Sequence, residues 1–439
     1  MGIIRKLKNM RLEVYIAIFI TFMACFTRLS MAAGQISYVL AIVLSLVLLY
    51  KQRHTLEIPD YVKRYAKAYG IMLLCLLPAA LLTGNPGKGF PEFINVWLWR
   101  IPVFLVISLC IKKKSILTNM LATFFVVFGI DCLVAFAQYL HGIQRAWGFG
   151  SSPLTIAGIM VMLIPVIVVI LWDEAFSKKL KCSALFSLFC IFFGMYGNQS
   201  RGSWLFSMIL VPLFSLKYML KNVKYFLLVL VVMGGVIGIF ASQPQYVARF
   251  HSITNTTTDG SNLGRFDVWA SAINMFEDHK LMGVGIKQWT TYYEEAYRLP
   301  TENQHLYHAH NNFFQLLSET GILGFIGVVG FYLFFGIDTF RNWLKDKNPY
   351  DLCVCGTLIG YVFIFGQIEY TLDNSSGMRI LWFVIAILLQ LKRVNIAGKK
   401  LEIKTQKERT DKIIIYFAPR LIKKKKKKTM RFILKRNLC

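Results

Sequence analysis

Charge is what this sequence has least of: charged residues make up 17% of its 439 positions, while 56% are hydrophobic. That excludes a soluble globular chain of this size, whose surface would need far more polar cover. Acidic residues are the scarcer kind, 23 against 50 lysines and arginines. Cysteine is present but unpatterned. None of the nine cysteines falls in the longest polar stretch, so no disulfide framework is expected there. Cys353-Val354-Cys355 has the wrong spacing for a zinc pair, and no metal site and no cofactor are expected. Internal repeats, low-complexity linkers and a soluble domain are lacking as well.

What is there is a series of apolar runs, each long enough to cross a hydrocarbon core of ~30 Å as a helix. Backbone groups in lipid must find partners within the chain, so these runs read as helices. They fall near 13–29, 34–50, 68–83, 94–111, 117–139, 154–172, 183–197, 203–219, 225–242, 319–337, 352–369 and 378–391. The first follows a basic N-terminus without a small-residue cleavage pattern, which favours a membrane helix over a signal peptide. The expected fold is therefore all-α and polytopic, with about twelve transmembrane helices. Its regions are a nine-helix membrane part at 1–242, one large loop at 243–318, C-terminal membrane helices at 319–391 and a basic tail at 392–439.

Basic residues test this map, because they concentrate on the cytoplasmic side of membrane proteins. With the N-terminus inside, the inner connections carry Lys51, Arg53, Lys63, Arg64 and Lys67, then Lys112 to Lys114, then Lys178, Lys179 and Lys181. Lys217, Lys221, Lys224, Arg341, Lys345 and Lys347 follow the same rule. Both termini are then cytoplasmic and residues 243–318 face outward. The tail holds eighteen basic and three acidic residues, including the run Lys423 to Lys428. It reads as a solvated segment; no function and no nucleic-acid partner are attached to it.

The basic residues left on the outer side run against that rule: Arg28, Lys88, Arg100, Arg145, Arg201, Arg249, Arg265, Lys280, Lys287, Arg298 and Arg379. Arg201 stands out, in Gly197-Asn198-Gln199-Ser200-Arg201-Gly202-Ser203-Trp204 at the outer junction of two apolar spans. An arginine there either snorkels to lipid phosphates or binds an anionic ligand, and its polar, glycine-bearing neighbours suit a phosphate. Arg265, after Asn262-Leu263-Gly264, offers a second guanidinium. Arg145, beside Trp147 and ahead of Gly148 and Gly150, is a third candidate. Arg265 opens a helical pattern in which Phe266, Trp269, Ala270, Ile273 and Phe276 recur every three or four residues, an amphipathic segment for the membrane or the bundle.

The loop ends in Tyr307-His308-Ala309-His310-Asn311-Asn312. Histidine titrates near neutrality and can take a proton from a hydroxyl. Asn311 and Asn312 either orient it or cap the next helix. Gly321, Gly324, Gly327 and Gly330 then share a helix stripe that another helix can approach closely. Asp131, inside the fifth span, is either functional or the buried partner of an arginine such as Arg100.

These motifs resemble the O-antigen ligase and polymerase family of bacterial membrane glycosyltransferases. The resemblance covers most of the chain. It rests on the dozen-helix plan, the late large loop, Gln199-Ser200-Arg201-Gly202, and Gly264-Arg265 followed by a segment ending at Gly283-Val284-Gly285. The third motif is His310-Asn311, nine residues, Gly321, two residues, Gly324. The resemblance implies a GT-C-like helical fold in the bacterial inner membrane, working on its periplasmic side. It implies a glycan donor on undecaprenyl pyrophosphate, with lipid A–core as a ligase's acceptor or a second carrier-linked chain as a polymerase's, and no metal or nucleotide. Arg201 and Arg265 would hold the pyrophosphate and His310 would activate the acceptor hydroxyl. Arg145, Asn311 and Gln199 are the expected substrate-binding residues. The competing class is a lipid-linked glycan flippase; transporters carry internal repeats and charges near the midplane, whereas the charges here gather at the outer ends.

Overall fold

The computed structural model describes residues 2–398 apart from 301 and 303–305. Of the tail expected at 392–439, residues 392–398 are described and helical, and the remainder, with the lysine run, lies outside the described residues. Each expected span is a helix: α1 Gly2–Phe26, α2 Met31–Gln52, α3 Asp60–Leu81, α4 Pro86–Cys110, α5 Lys114–Leu140, α6 Pro153–Trp172, α7 Lys178–Asn198, α8 Arg201–Met219 and α9 Val223–Ala241. The loop region adds α10 Pro244–His251 and α11 Gly260–Asp278, and the bundle resumes with α12 Asn312–Asp346, α13 Pro349–Gln367 and α14 Ser375–Gly398. Eleven of these, α2 to α9 and α12 to α14, are long and apolar enough to cross a membrane. No strand occurs among the described residues. The chain is an all-α, multi-pass membrane protein.

Helix starts follow from local chemistry. Ser30, Ser152 and Ser177 each accept a backbone N–H in the first turn of α2, α6 and α7, and proline stands at the head of α6, α10 and α13. These devices satisfy or remove donors that a helix start would leave orphaned. Helix α6 is the centre of the bundle; its run Ile156–Ile170 is buried on every side, which is why it reads as continuous apolar sequence without a polar face. At the other extreme α9 buries only Val229 and packs chiefly against α8. It presents the rest of its apolar surface outward, as a helix bathed in lipid does.

Helix α12 is interrupted at Gly321, whose φ of 61° and ψ of −166° no L-residue with a side chain adopts comfortably. Residues 280–285 run through the break. Ile322 N–H donates to Lys280 C=O at 2.8 Å, and Val284 N–H donates to Ser318 C=O at 2.8 Å. A Cβ at Gly321 would stand 2.4 Å from the Leu281 carbonyl carbon. The expected glycine stripe is thereby corrected: Gly324 and Gly327 do face α3, near Leu76 and Cys75, but Gly330 has nothing near it and Gly321 belongs to the break.

A second correction concerns α11. It packs against the bundle, as one of the two expected settings had it, but on another face. Gly264, Val268, Ser271, Ala272 and Met275 are buried, while Phe266 and Ile273 are exposed. Small residues let the helix come close, and the period was legible where the phase was not. A third concerns Asp131, which pairs with Arg28 at 2.6 Å rather than with Arg100. Arg100 points to a different loop and donates to the carbonyls of Leu372 and Asp373.

Candidate active site

The turn from α7 into α8 is made by Gln199, a residue in the left-handed region with φ of 55°. It leaves Arg201 as the first residue of α8. Asn198 ties this turn to the preceding loop, donating from its side-chain amide to the carbonyls of Ala146 and Pro153 at 2.7 and 2.9 Å. Ala146 N–H returns to Gly197 C=O. Arg145, also left-handed with φ of 57°, is thus held against the Arg201 turn. On the opposite wall, Asp259 caps α11 and aims that helix so that Arg265, near its start, faces the same space.

The space is a cavity of about 330 Å³ lined by Arg145, Arg201, Arg249 and Arg265, with Ser200, Ser252, Asn262, Trp269 and Ile368 among its other walls. Three of the four arginines are those the sequence singled out. Arg249, on α10, is the fourth; its Nε donates to Gln199 C=O at 3.2 Å. Arg201 donates to Ser252 and to both carboxylate oxygens of Asp259 at 3.1 and 3.2 Å. Arg265 donates to Ser261, and its buried Nε has no partner.

Such crowding strains the charges. Burial, then the repulsion of Arg201, holds Arg145 below the usual guanidinium range, with some relief from Glu369. Arg249 is lowered by burial and by Arg145 and Arg201. Arg265 is lowered by burial and by Arg201 and Arg145, against the pull of Glu369. Burial raises the Asp259 carboxyl, but its bonds from Arg201 outweigh that and leave it lowered. One lining carboxylate among the described residues, already engaged, faces four guanidinium groups. The cavity therefore carries an unbalanced positive charge, suited to a multiply charged anion.

Beside the cavity stands His310, left-handed with φ of 46°. Two cavity-wall residues flank it: Trp269 donates to Ala309 C=O at 2.8 Å, and Ile368 precedes Glu369. His310 Nδ1 lies 2.9 Å from Glu369 Oε2, and His308 Nε2 lies 3.3 Å from Glu369 Oε1. Burial raises the Glu369 carboxyl, and the hydrogen bond from His310 with the pull of His308 and Arg265 more than reverses it. Burial also pushes His308 down to about 4, so it is neutral at pH 7. Its Nδ1 accepts the backbone N–H of His310 at 3.1 Å, which puts the ring proton on Nε2, toward Glu369.

An ionised Glu369 that accepts from His310 Nδ1–H leaves the Nε2 lone pair of His310 available as a base. Glu369 is a candidate site residue that the sequence alone did not single out. His308, His310 and Glu369 are also the one group among the described residues with ligand atoms close enough for a metal, within 4.8 Å of one another. The tautomer of His308 opposes that use, since a metal on Nε2 would need Nδ1 to carry the proton that the His310 N–H excludes.

The remaining expected site residues sit off the cavity wall. Gln199 is buried and contributes its backbone turn and the carbonyl that holds Arg249. Asn311 caps α12, accepting from Phe313 and Phe314 N–H, and donates to Gln367 C=O at 3.1 Å. Four of the five non-glycine residues with positive φ among those described, Arg145, Gln199, Lys287 and His310, belong to this end of the molecule. Strain of this kind gathers where a site must hold a fixed geometry.

Residues 186–329 match the family model described as O-antigen ligase. The matched stretch contains Arg201, Arg249, Arg265 and His310, and it supports the O-antigen ligase and polymerase family for this chain. Comparison with curated proteins gives no match.

Proposed function

We propose that the chain is an O-antigen ligase, a membrane glycosyltransferase that moves a glycan from undecaprenyl pyrophosphate to lipid A–core. The observation that carries this reading is the four-arginine cavity beside the His310–Glu369 pair. A diphosphate leaving group needs cations that strengthen their hold as charge builds on it, and a sugar hydroxyl needs a base near neutral pH. In the reaction the acceptor oxygen attacks the anomeric carbon, the bond from that carbon to the diphosphate oxygen breaks, and the hydroxyl proton passes to His310 Nε2. Undecaprenyl pyrophosphate departs among the arginines, and the proton returns to solvent. The energy resides in the donor's own sugar–diphosphate bond, so no nucleotide enters the step.

An apolar pocket of about 300 Å³, lined by Trp204, Met208, Phe240, Tyr246 and Phe250 among others, lies against α8 and α10, which also wall the cavity, and against the end of α9. It suits the lipid part of such a donor. The partition of basic residues supports an inner-membrane protein with cytoplasmic termini and this site on the periplasmic face. A polymerase would draw on the same cavity and differ in its acceptor. A flippase would form no new bond.

The test is a deletion strain read for its surface polysaccharide. Loss of a ligase leaves long chains on the carrier and none on lipid A–core. Core bearing single repeat units would instead mark a polymerase. Purified protein that gives no product from donor and acceptor in detergent would count against both.

A further inference from the structure

We infer that Asn312 is a positioning residue that sets Glu369 against His310, an inference that rests on the transfer reaction proposed above. Asn312 is buried and makes hydrogen bonds at every position its amide offers. Its Nδ2 donates to Val362 C=O at 2.9 Å and to Thr371 Oγ1 at 2.8 Å. Its Oδ1 accepts from Thr371 N–H at 2.8 Å and Leu372 N–H at 3.3 Å.

These partners bracket Glu369. The end of α13 is unwound into a π-helical stretch, Ile359–Ile364, and a 3₁₀ turn, Phe365–Gln367, before the loop that carries the carboxylate. Asn311 holds Gln367 C=O just ahead of Glu369, and Asn312 holds Thr371 and Leu372 just behind it. Both asparagines follow His310 directly in the chain. The base and the loop of its carboxylate are therefore joined by a short covalent and hydrogen-bonded path. Gly366 completes the fit: a Cβ there would stand 2.2 Å from Asn312 Nδ2. Asn312 touches neither the cavity nor His310's ring in this arrangement, so its effect passes through Glu369.

The experiment is a double-mutant cycle in purified protein, measuring transfer against donor concentration. Asn312→Asp keeps the acceptor oxygen and the shape but loses both donations. Its kcat should fall by about tenfold, with the donor KM within about twofold, as expected for a misplaced catalytic group. Residues that act as a unit are not additive, so Asn312→Asp combined with Glu369→Gln should be no slower than Glu369→Gln alone, to within about twofold. Multiplying effects, or an unchanged kcat in Asn312→Asp, would overturn the inference. Thr371→Val removes the Oγ1 partner from the other end and should move kcat in the same direction, which keeps the test open if Asn312→Asp does not fold. His310→Ala separates the two levels. If it is inactive while Asn312→Asp is normal, only the positioning role fails. If it is fully active, the proposed reaction fails and the positioning role with it.

Discussion

Asp259 grips Arg201 with both carboxylate oxygens, and one of the same oxygens accepts Asn262 N–H to cap the helix that carries Arg265. A single side chain thus neutralises one wall of the cavity and aims the other. A diphosphate in the cavity, as proposed, would compete with this carboxylate for the guanidinium.

Asn caps a helix about as well as Asp, so Asp259→Asn should leave α11 in place while freeing Arg201. Inorganic pyrophosphate should then bind several-fold more tightly, on the order of 3- to 10-fold for removal of one competing charge. Titration calorimetry of the purified protein checks this, and weaker binding would mean that Asp259 orients Arg201 rather than competes for it.

Arg201→Lys should fail almost as badly as Arg201→Ala. A guanidinium meets two phosphate oxygens with parallel bonds, and an ammonium cannot. Because charge on the leaving oxygen grows toward the transition state, the loss should appear more in turnover than in donor binding. Initial rates across donor concentrations decide it; a near-normal rate with lysine would return Arg201 to a headgroup-binding role.

His310→Ala should lower transfer by on the order of 100-fold or more, the usual consequence of losing a general base. His308→Ala should be milder, since His308 is neutral and its hydrogen bonds go to the His310 backbone and to Glu369, while its ring only packs against that of His310, 4.0 Å away. Equal rates for His310→Ala and wild type at matched protein levels would refute the assignment.

Acidification should weaken the fold before it titrates ordinary carboxylates. His308 has its value lowered to about 4 by burial, against ~6.5 in an unfolded chain. Between those values the unfolded chain binds more protons, so stability rises with pH across the window and falls as pH drops through it. Glu369, held low, adds its loss further down in the same direction. Thermal unfolding in detergent should show Tm declining from about pH 6.5 to pH 4, and His308→Gln should flatten that decline; an unchanged slope would remove His308 from the account.

Single cysteines at Thr257 and at Lys178, in a cysteine-free background, should report the orientation. Thr257 should react with an impermeant thiol reagent applied to cells whose outer membrane admits it, and Lys178 should stay protected. The reverse pattern would invert the topology.

Much of this was legible because hydropathy and charge act locally. Runs of apolar residues mark the spans, and arginines on the wrong side of the charge rule mark the cavity. Arg249 stood among those arginines but lacked the polar, glycine-bearing surroundings that drew attention to Arg201. Glu369 left no local trace at all, since what makes it a candidate is a histidine 59 residues away. Asp131 carried a visible need for a partner, but only packing chooses among arginines, and it chose Arg28. The face of α11 was misread for a related reason. Phe266, Ile273 and Phe276 gave the pattern, and the contact is made by Val268 and Met275 with the small residues Gly264, Ser271 and Ala272 beside them.

The seam at Gly321 has a consequence for how this molecule can vary. Residues 280–285 are seated by main-chain bonds from Ile322, Leu323, Val284 and Gly285 N–H groups to carbonyls across the break, and by the Val284 side chain, which is buried with Val268, Ala272 and Met275. Main-chain bonds do not depend on which side chains their residues carry. Lys280, Leu281 and Met282, which are not buried, can therefore change in composition and keep their footing on the bundle, whereas Val284, Ile286, Trp289 and Tyr293 are held by the core they fill. The glycines of the seam are fixed more tightly still: a Cβ at Gly283 would meet Glu319 backbone at 2.4 Å, one at Gly321 would meet Leu281 at 2.4 Å, and Gly285, with φ of 110°, stands against the Gln288 side chain. A single methyl group at Gly283 or Gly321 would meet main chain, which cannot turn aside as a side chain can, and would lift the segment before the histidine off its foundation.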